Sequence, residues 1–597
     1  LLSISAIAHR HVTDRAALLL ERVGEQNMSL FQKVLRRKSL QDLQRGGDDA
    51  EGHKLNKVLT SRDVFNHGVA AIIGTGIFVL TGVAAHDHAG PGIILSFLLA
   101  GFACAFVSFA YAELASMIPV SGSAYTYTYA TLGEIFAWLI GWDLLLEYAV
   151  GASAVAVGWS AYLQNVMKAL GMNLPAYLSH APEHVPWQAV FLAAGTITVG
   201  VIGMFKSRAA LTVGAGAKTY FIGLASAALA GFGLVKAWDV LTHLTSLDLP
   251  AILIILFINF FLIKGVSHTA KMTAIFVVIK VAVILFFIGV GIWHIDTTNY
   301  HPFLPFGWHG VFTGAAIVFF AYIGFDAVTT LAEECKDPQK DVPKGVIGSL
   351  VVCTILYILV AAIMTGAMSY LLLGGSEIAA PMARVLDHLG YWWASPFVSI
   401  GAIAGITSVL IVLLFGQSRI MMRMAKDGLI APIFGRIHET YRTPVWSIAI
   451  WGVLVALTAG LLPISELAEL TNIGTLAAFV MVCLGVIILR VKEPERPRKF
   501  RCPDVPLVKP AGNFAVTCMT RVFGLSPRVE TRLRAAVGTF AWMLIPLLGA
   551  GMSLAFMFSL PAVTWVRFAI WMGIGLVIYL FYGRVHSKLN RSNTQDR

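Results

Sequence analysis

From about residue 66 almost to the C-terminus, the sequence is a succession of apolar runs separated by short polar gaps. A helix needs about 20 mostly apolar residues to cross the hydrocarbon core of a bilayer, and most of the runs reach that length. Only structures that satisfy their own backbone can span lipid, which leaves helices and closed barrels. The period-two alternation of barrel strands is absent, so the runs read as helices. Composition agrees: 57% of the 597 residues are hydrophobic and 13% charged, against about 25% charged in a typical soluble domain. The fold class expected is an all-α polytopic membrane protein.

About fourteen spans are expected, near 66–85, 92–117, 135–163, 187–205, 217–235, 249–264, 272–293, 311–333, 345–372, 396–420, 444–462, 467–489, 537–559 and 563–583. The fourth and fifth are the weakest, rich in Ala and Gly, and read equally as one hairpin. The chain carries 44 Lys and Arg against 33 Asp and Glu. In a soluble protein that excess would suggest nucleic acid. Here the basic residues fall in alternate gaps: Lys206 and Arg208; Lys264 and Lys271; Lys336, Lys340 and Lys344; Arg423, Lys426, Arg436 and Arg442; and the whole of 490–536. The other gaps hold little beyond Lys168, Lys236 and Arg384. By the positive-inside rule both termini are cytoplasmic and the protein is a multi-pass resident of the cell (inner) membrane. Lipid is the expected surrounding, and nucleic acid is not a partner.

The layout that follows has a cytoplasmic segment at 1–65, a core at 66–490, a basic connector at 491–536, a final helix pair at 537–583 and a tail at 584–597. "MSLFQKVLRRKSLQDLQ" from Met28 has the look of a natural start, which makes 1–27 an upstream extension. The connector holds a short amphipathic stretch around 524–535 and lies where anionic headgroups would meet its charge.

Two breaks and four charges sit where lipid should be. "GVAAIIGTGIFVLTG" (68–82) places Gly74-Thr75-Gly76 in the middle of the first span, and "AIVFFAYIGFDAVTTLAEE" (316–334) is interrupted at Gly324 and Asp326. Glycine in a helix interior costs about 1 kcal/mol relative to alanine. Irregular backbone at membrane depth is tolerated only inside protein or against a wet cavity. A pair of interrupted helices, one in each half of a chain, points to a transporter's substrate site. Freed amides can hold a carboxylate and freed carbonyls an ammonium, and a free amino acid has both ends. The charges are Asp143 and Glu147, four residues apart on one helix face, with Lys280 and Asp326. An intramembrane ionisable residue is a functional candidate by default. Lys280 is the strongest, since a lysine taken out of water can cycle its proton.

Other features take the plain reading. "HDH" (86–88) is a polar outer loop rather than a metal site, and Tyr125, Tyr127 and Tyr129 are interfacial aromatics. The six cysteines, at 104, 335, 353, 483, 502 and 518, lack metal-ligand or disulfide spacing. No zinc-protease helix motif, phosphate loop or ordered nucleophile is present, so the chain is not read as an enzyme, and neither cofactor nor metal is expected.

Several stretches resemble the cationic amino acid transporter family of the amino acid–polyamine–organocation superfamily: "HAGPGIILSFLLAGF" (88–102), "YAELASMIPVSGSAYTY" (111–127), "GWDLLLEYAVGASAVAVGWSAYL" (141–163), "AYIGFDAVTTLAEECKDPQKDVPKGVIGSL" (321–350) and "GQSRIMMRMAKDGLIAP" (416–432). "WVRFAIWMGIGLVIYLFYGRVHSKL" (565–589) is similar to the family's bacterial members. The resemblance implies two inverted repeats of five helices, with helices one and six unwound around the substrate. It implies that Gly74, Thr75 and Gly76 offer amides to the substrate carboxylate, while carbonyls of Ile72, Phe320, Ala321 and Ile323 take its amino group. Glu147 matches a helix-three acid near the site. Lys280, in "FVVIKVAVILFFI", matches a lysine standing where sodium-coupled relatives bind a cation, with Thr407 and Ser408 as its neighbours. Against the family pattern, 187–235 looks like an inserted hairpin and 503–536 like a lengthened connector.

The function expected is secondary active import of an amino acid by proton symport and alternating access. The rivals are an obligate amino acid exchanger and a receptor that binds amino acids without flux. Whether the substrate is cationic or neutral stays open, since Glu147 and Asp326 could neutralise a basic side chain or serve the structure.

Overall fold

The computed structural model describes residues 59–118, 122–182, 196, 225–229, 231, 233, 235, 246–264, 269–374, 380–502 and 527–591. Most of the inserted hairpin expected at 187–235, most of the N-terminal segment, the connector from 503 to 526 and the end of the tail lie outside the described residues. The described residues form helices throughout, with one isolated bridge between Leu59 and Cys335 and no strand.

Each of the twelve expected spans within the described residues is helical. The first is α1 (Ser61–Ile72), which resumes as helical turns over 76–89 after a break. It begins earlier than its apolar run because the Asp63 carboxylate accepts from the amide and the hydroxyl of Thr60, at 2.8 and 2.7 Å, capping the first turn. Then follow α2 (Ile93–Met117), the short α3 (Ser123–Thr131), α4 (Glu134–Ala169), α5 (Leu249–Lys264) and α6 (Thr269–Gly291). The second half holds α7 (Gly307–Val318), α8 (Pro338–Ala367), the short α9 (Pro381–His388), α10 (Ala394–Lys426), α11 (Val445–Leu461) and α12 (Ile464–Lys492). The chain closes with α13 (Pro527–Ser559) and α14 (Ala562–Ile578).

Set α3, α9 and the closing pair α13 and α14 aside, and the ten remaining helices fall into two groups of five in the same order. Each group opens with a broken helix, α1 or α7, and has its short apolar helix in fourth place, α5 or α11. An odd number of spans per group makes the second run opposite to the first, which is the inverted-repeat fold. The equivalent helices meet: α4 packs along α10, and α5 along α11. The α4–α10–α5–α11 set forms one body, while α1, α2, α7 and α8 pack on each other as a second. α4 supplies small residues over 151–158 (GASAVAVG), which allow neighbouring helices to approach closely. Side chains such as Val278 on α6 and Phe581 beyond α14 are 68% and 60% exposed, an apolar outer surface suited to lipid.

α13 packs along α12, and α14 is fastened to this core by specific contacts. Trp142 of α4 stacks on Trp571 of α14 at 4.5 Å, and each indole N–H donates to the other residue's carbonyl, at 2.9 and 3.2 Å. The Glu134 carboxylate accepts from the hydroxyls of Tyr129, Tyr579 and Ser587. At the end of α12, the buried Arg490 pairs with the buried Glu113 of α2, which also accepts from the Cys502 amide at 2.8 Å.

Three expectations are corrected. Tyr125, Tyr127 and Tyr129 are buried, not interfacial, because they lie on α3, which is wedged between α4 and α12. Tyr125 donates to the Asp427 carboxylate at 2.8 Å. The His86-Asp87-His88 stretch is a wide helical turn at the end of the resumed first helix, with His86 Nδ1 2.5 Å from Asp87 Oδ1, rather than a loop. Residues 527–535 are the opening turns of α13 and not a separate surface helix.

Candidate functional site

Both breaks are present and they touch. α1 stops at Ile72, Ile73 is extended, and helical winding resumes at Gly76. α7 stops at Val318, tightens through Phe319–Tyr322, then turns at Ile323 and Gly324 before a second tight helix, Ala327–Glu334. A Cβ on Gly76 would lie 2.3 Å from the Ala321 Cα, so only glycine lets the two unwound backbones meet. Gly324 combines φ +113° with a would-be Cβ 2.9 Å from the Ala71 carbonyl, a conformation and an approach that a side chain would both oppose.

Backbone interrupted at this depth must find partners elsewhere, and it does. Lys280 on α6 is fully buried, and its ammonium donates to the carbonyls of Ala70 (2.6 Å) and Ile73 (2.9 Å) and to Ser408 Oγ on α10 (3.2 Å). All three partners are neutral oxygens. One side chain therefore ties the unwound end of α1 to the opposite body. The Tyr357 hydroxyl of α8 lies 2.8 Å from both the Ile72 and the Ala321 carbonyls, one from each break. A hydroxyl carries one proton, so it serves one of these carbonyls at a time. Asn472 of α12 donates to the carbonyls of Ala316 and Ile317, just ahead of the second break.

Between the breaks lies a cavity of about 20 Å3. Ile72, Gly74, Thr75 and Gly76 form one wall and Phe320 and Ile323 another, with Gly151 and Val155 of α4 and Val409 and Leu413 of α10 closing the remainder. The amides at 74–76 head the resumed helix, the end that carries partial positive charge. The Phe320 carbonyl accepts from the Ile323 amide at 3.2 Å. The volume is that of one water, so an amino acid fits only once these walls separate. Toward the N-terminal side, Ser61 donates to Asp341 and the Lys336 amide donates to the Leu59 carbonyl. On the far side, Tyr162 donates to the Phe78 carbonyl at 2.7 Å.

Of the residues singled out from the sequence, Ile72, Gly74, Thr75, Gly76, Phe320 and Ile323 line the cavity, and Ala321 abuts Gly76. Ser408 contacts Lys280, whereas the Thr407 hydroxyl is turned to the Ile403 carbonyl (2.7 Å) and the Trp159 indole (3.0 Å). Glu147 is buried but is not a lining residue; Gly151, one turn on, is. Asp143, against Gly474, has no hydrogen-bond partner among the described residues. Tyr357 and Asn472 were not foreseen. A tyrosine in an apolar run reads as core, and only the polarity of Thr471-Asn472 inside a span would have flagged the second.

Two touching helix breaks at the centre of an inverted-repeat bundle, closed toward both ends, are the arrangement of a membrane transporter with its substrate site at the breaks. Family comparison gives the same class. The profile described as Amino acid permease matches residues 62–550, and that for the C-terminus of AA permease matches 544–587. The chain belongs to the amino acid permease family. A branched-chain amino acid permease of Bacillus subtilis (strain 168) is 40% identical over 94% of this chain and 99% of its own length. A methylthioribose transporter of the same organism is 37% identical over 94% and 99%. The vacuolar cationic amino acid transporter 4 of Arabidopsis thaliana is 30% identical over 90% of this chain and 94% of its own.

Proposed function

We propose that this permease imports neutral amino acids with apolar, branched side chains, coupled to protons through alternating access. The observation that carries the substrate class is the side-chain end of the cavity. Val155, Ile323, Val409 and Leu413 present hydrocarbon, and no charged side chain is among the lining residues. A guanidinium or ammonium there would be buried without a counter-charge, which is expensive. The similarity to a branched-chain amino acid permease supports the same reading.

The coupling reading rests on Lys280. A protonated amine has three donors, and three acceptors face it. A neutral amine has two, so deprotonation removes one bond and weakens the rest by removing the charge assistance. That loosens α1 from α10 and biases the bundle toward opening on the N-terminal side. Substrate amine and Tyr357 would share the Ile72 and Ala321 carbonyls in the same event.

The test is uptake of labelled leucine, alanine and arginine into proteoliposomes, without sodium, with and without an inward proton gradient. Leucine accumulation stimulated by the gradient is the expected result. Accumulation of arginine alone overturns the substrate class. Exchange against preloaded leucine with no net accumulation replaces symport by exchange, and binding without flux in either mode replaces transport by reception.

A further inference from the structure

The glycines around the cavity are not small for the same reason. Gly76 is held against the Ala321 backbone, and a Cβ on Gly158 would lie 2.3 Å from Thr75 Cγ2, so both are fixed by protein packing. Gly151 is different. A Cβ built there meets Thr471 Cγ2 at 3.4 Å, Leu413 Cδ1 at 3.8 Å and Thr471 Oγ1 at 4.0 Å, which are ordinary contacts. Its backbone is regular helix in the interior of α4, where glycine is about 1 kcal/mol worse than alanine. No neighbouring protein atom requires the missing methyl group, and the residue lines the cavity.

We infer that Gly151 is the residue that sets substrate side-chain size: the volume it vacates, beside Leu413 and Thr471, receives the terminal carbons of a branched aliphatic side chain. Gly151 and Val155 are one turn apart on α4 and so share a face. Val409 and Leu413 repeat that spacing on α10 and line the same cavity from the other helix. Adding one methyl group at position 151 fills the far end of the space without disturbing the amides and carbonyls that hold the amino acid's common part. The effect is therefore graded by substrate size. This inference rests on the transport reading above and names the residue that gives it selectivity.

The experiment compares leucine and alanine uptake by wild type and Gly151→Ala in proteoliposomes, with leucine- and alanine-induced thermal stabilisation in detergent as a second measurement. The leucine-to-alanine uptake ratio falls by about tenfold or more in the variant, the range for one methyl group in an apolar pocket, and the stabilisation ratio falls with it. Adding Leu413→Ala to Gly151→Ala reopens the space and raises the ratio again. Equal losses for both substrates, or an unchanged ratio, overturn the role of Gly151. Should Gly151→Ala prove unstable, Gly151→Ser is compared in the same way. A wild type that neither transports nor binds either amino acid refutes the transport reading itself, before any variant is compared.

Discussion

At the scale of single residues, the site is a set of answers to one problem, the loss of helical hydrogen bonds inside a membrane. Lys280, Tyr357 and Asn472 each take up carbonyls that a continuous helix would have paired. Lys280 was legible in the sequence because a charge in an apolar run needs an explanation. Tyr357 was not, because its use lies in a hydroxyl that reaches two segments 36 and 285 residues away. Thr407, next to the right serine, faces another helix, since adjacent residues on a helix point about 100° apart. Charge-assisted hydrogen bonds contribute about 1.5–3 kcal/mol each, so Lys280→Ala removes a large part of what holds α1 to α10. The expected outcome is a folded protein whose uptake no longer responds to a proton gradient. Gradient-stimulated accumulation at the wild-type level in this variant, checked for monodispersity by size exclusion, would remove Lys280 from the coupling.

At the scale of elements, the long helices were legible because burial in lipid imposes apolar length, and the breaks because glycine pairs interrupt it. The short α3 and α9 were not, because a nine-residue stretch such as SAYTYTYAT has no apolar stripe and becomes a buried helix only through packing on both sides. The start of α5 shows a related device. Asp248 stands just ahead of the helix and its Oδ1 accepts from the Ala251 amide (3.1 Å) and the Ser160 hydroxyl (2.6 Å), tying α5 to α4. Burial, only partly offset by those two bonds, pushes the Asp248 carboxyl from 3.8 up to about 7. The unfolded chain releases this proton near pH 4 and the folded chain keeps it until about pH 7. The folded state therefore binds more protons across that window, and Asp248 makes stability fall as pH rises through it, levelling off above. Asp248→Asn retains an acceptor oxygen but has no proton to lose. Thermal unfolding in detergent between pH 4.5 and 7.5 should show a shallower decline for the variant; parallel declines would exclude Asp248 as a source of the slope.

At the scale of the molecule, the contacts separate what can move from what is bolted down. α4, α5, α10 and α11 pack as one body, and the stacked Trp142–Trp571 pair with the three-hydroxyl Glu134 contact fixes α14 to it. The first half of α1 is held differently. The Ser61–Asp341 contact and the packing against α8 hold it within its own body, and only the Lys280 bonds, which continue to Ser408 of α10, reach across to the other. Opening toward the N-terminal side should therefore move α1 relative to α11 while α14 stays in register with α11. Spin labels can separate these motions, because the native cysteines of the described residues are all buried and Cys518 can be replaced by serine. Arg62, Val453 and Val577 are exposed positions on α1, α11 and α14. On adding leucine at acidic pH, the distance between labels at Arg62→Cys and Val453→Cys should shift by about 5 Å, the scale of a one-turn displacement. The Val577→Cys to Val453→Cys distance should not shift beyond the width of its own distribution. If both pairs shift together, α14 is not part of the fixed body. If neither shifts while transport persists, the moving part is not α1, and the coupling assigned to Lys280 loses its lever.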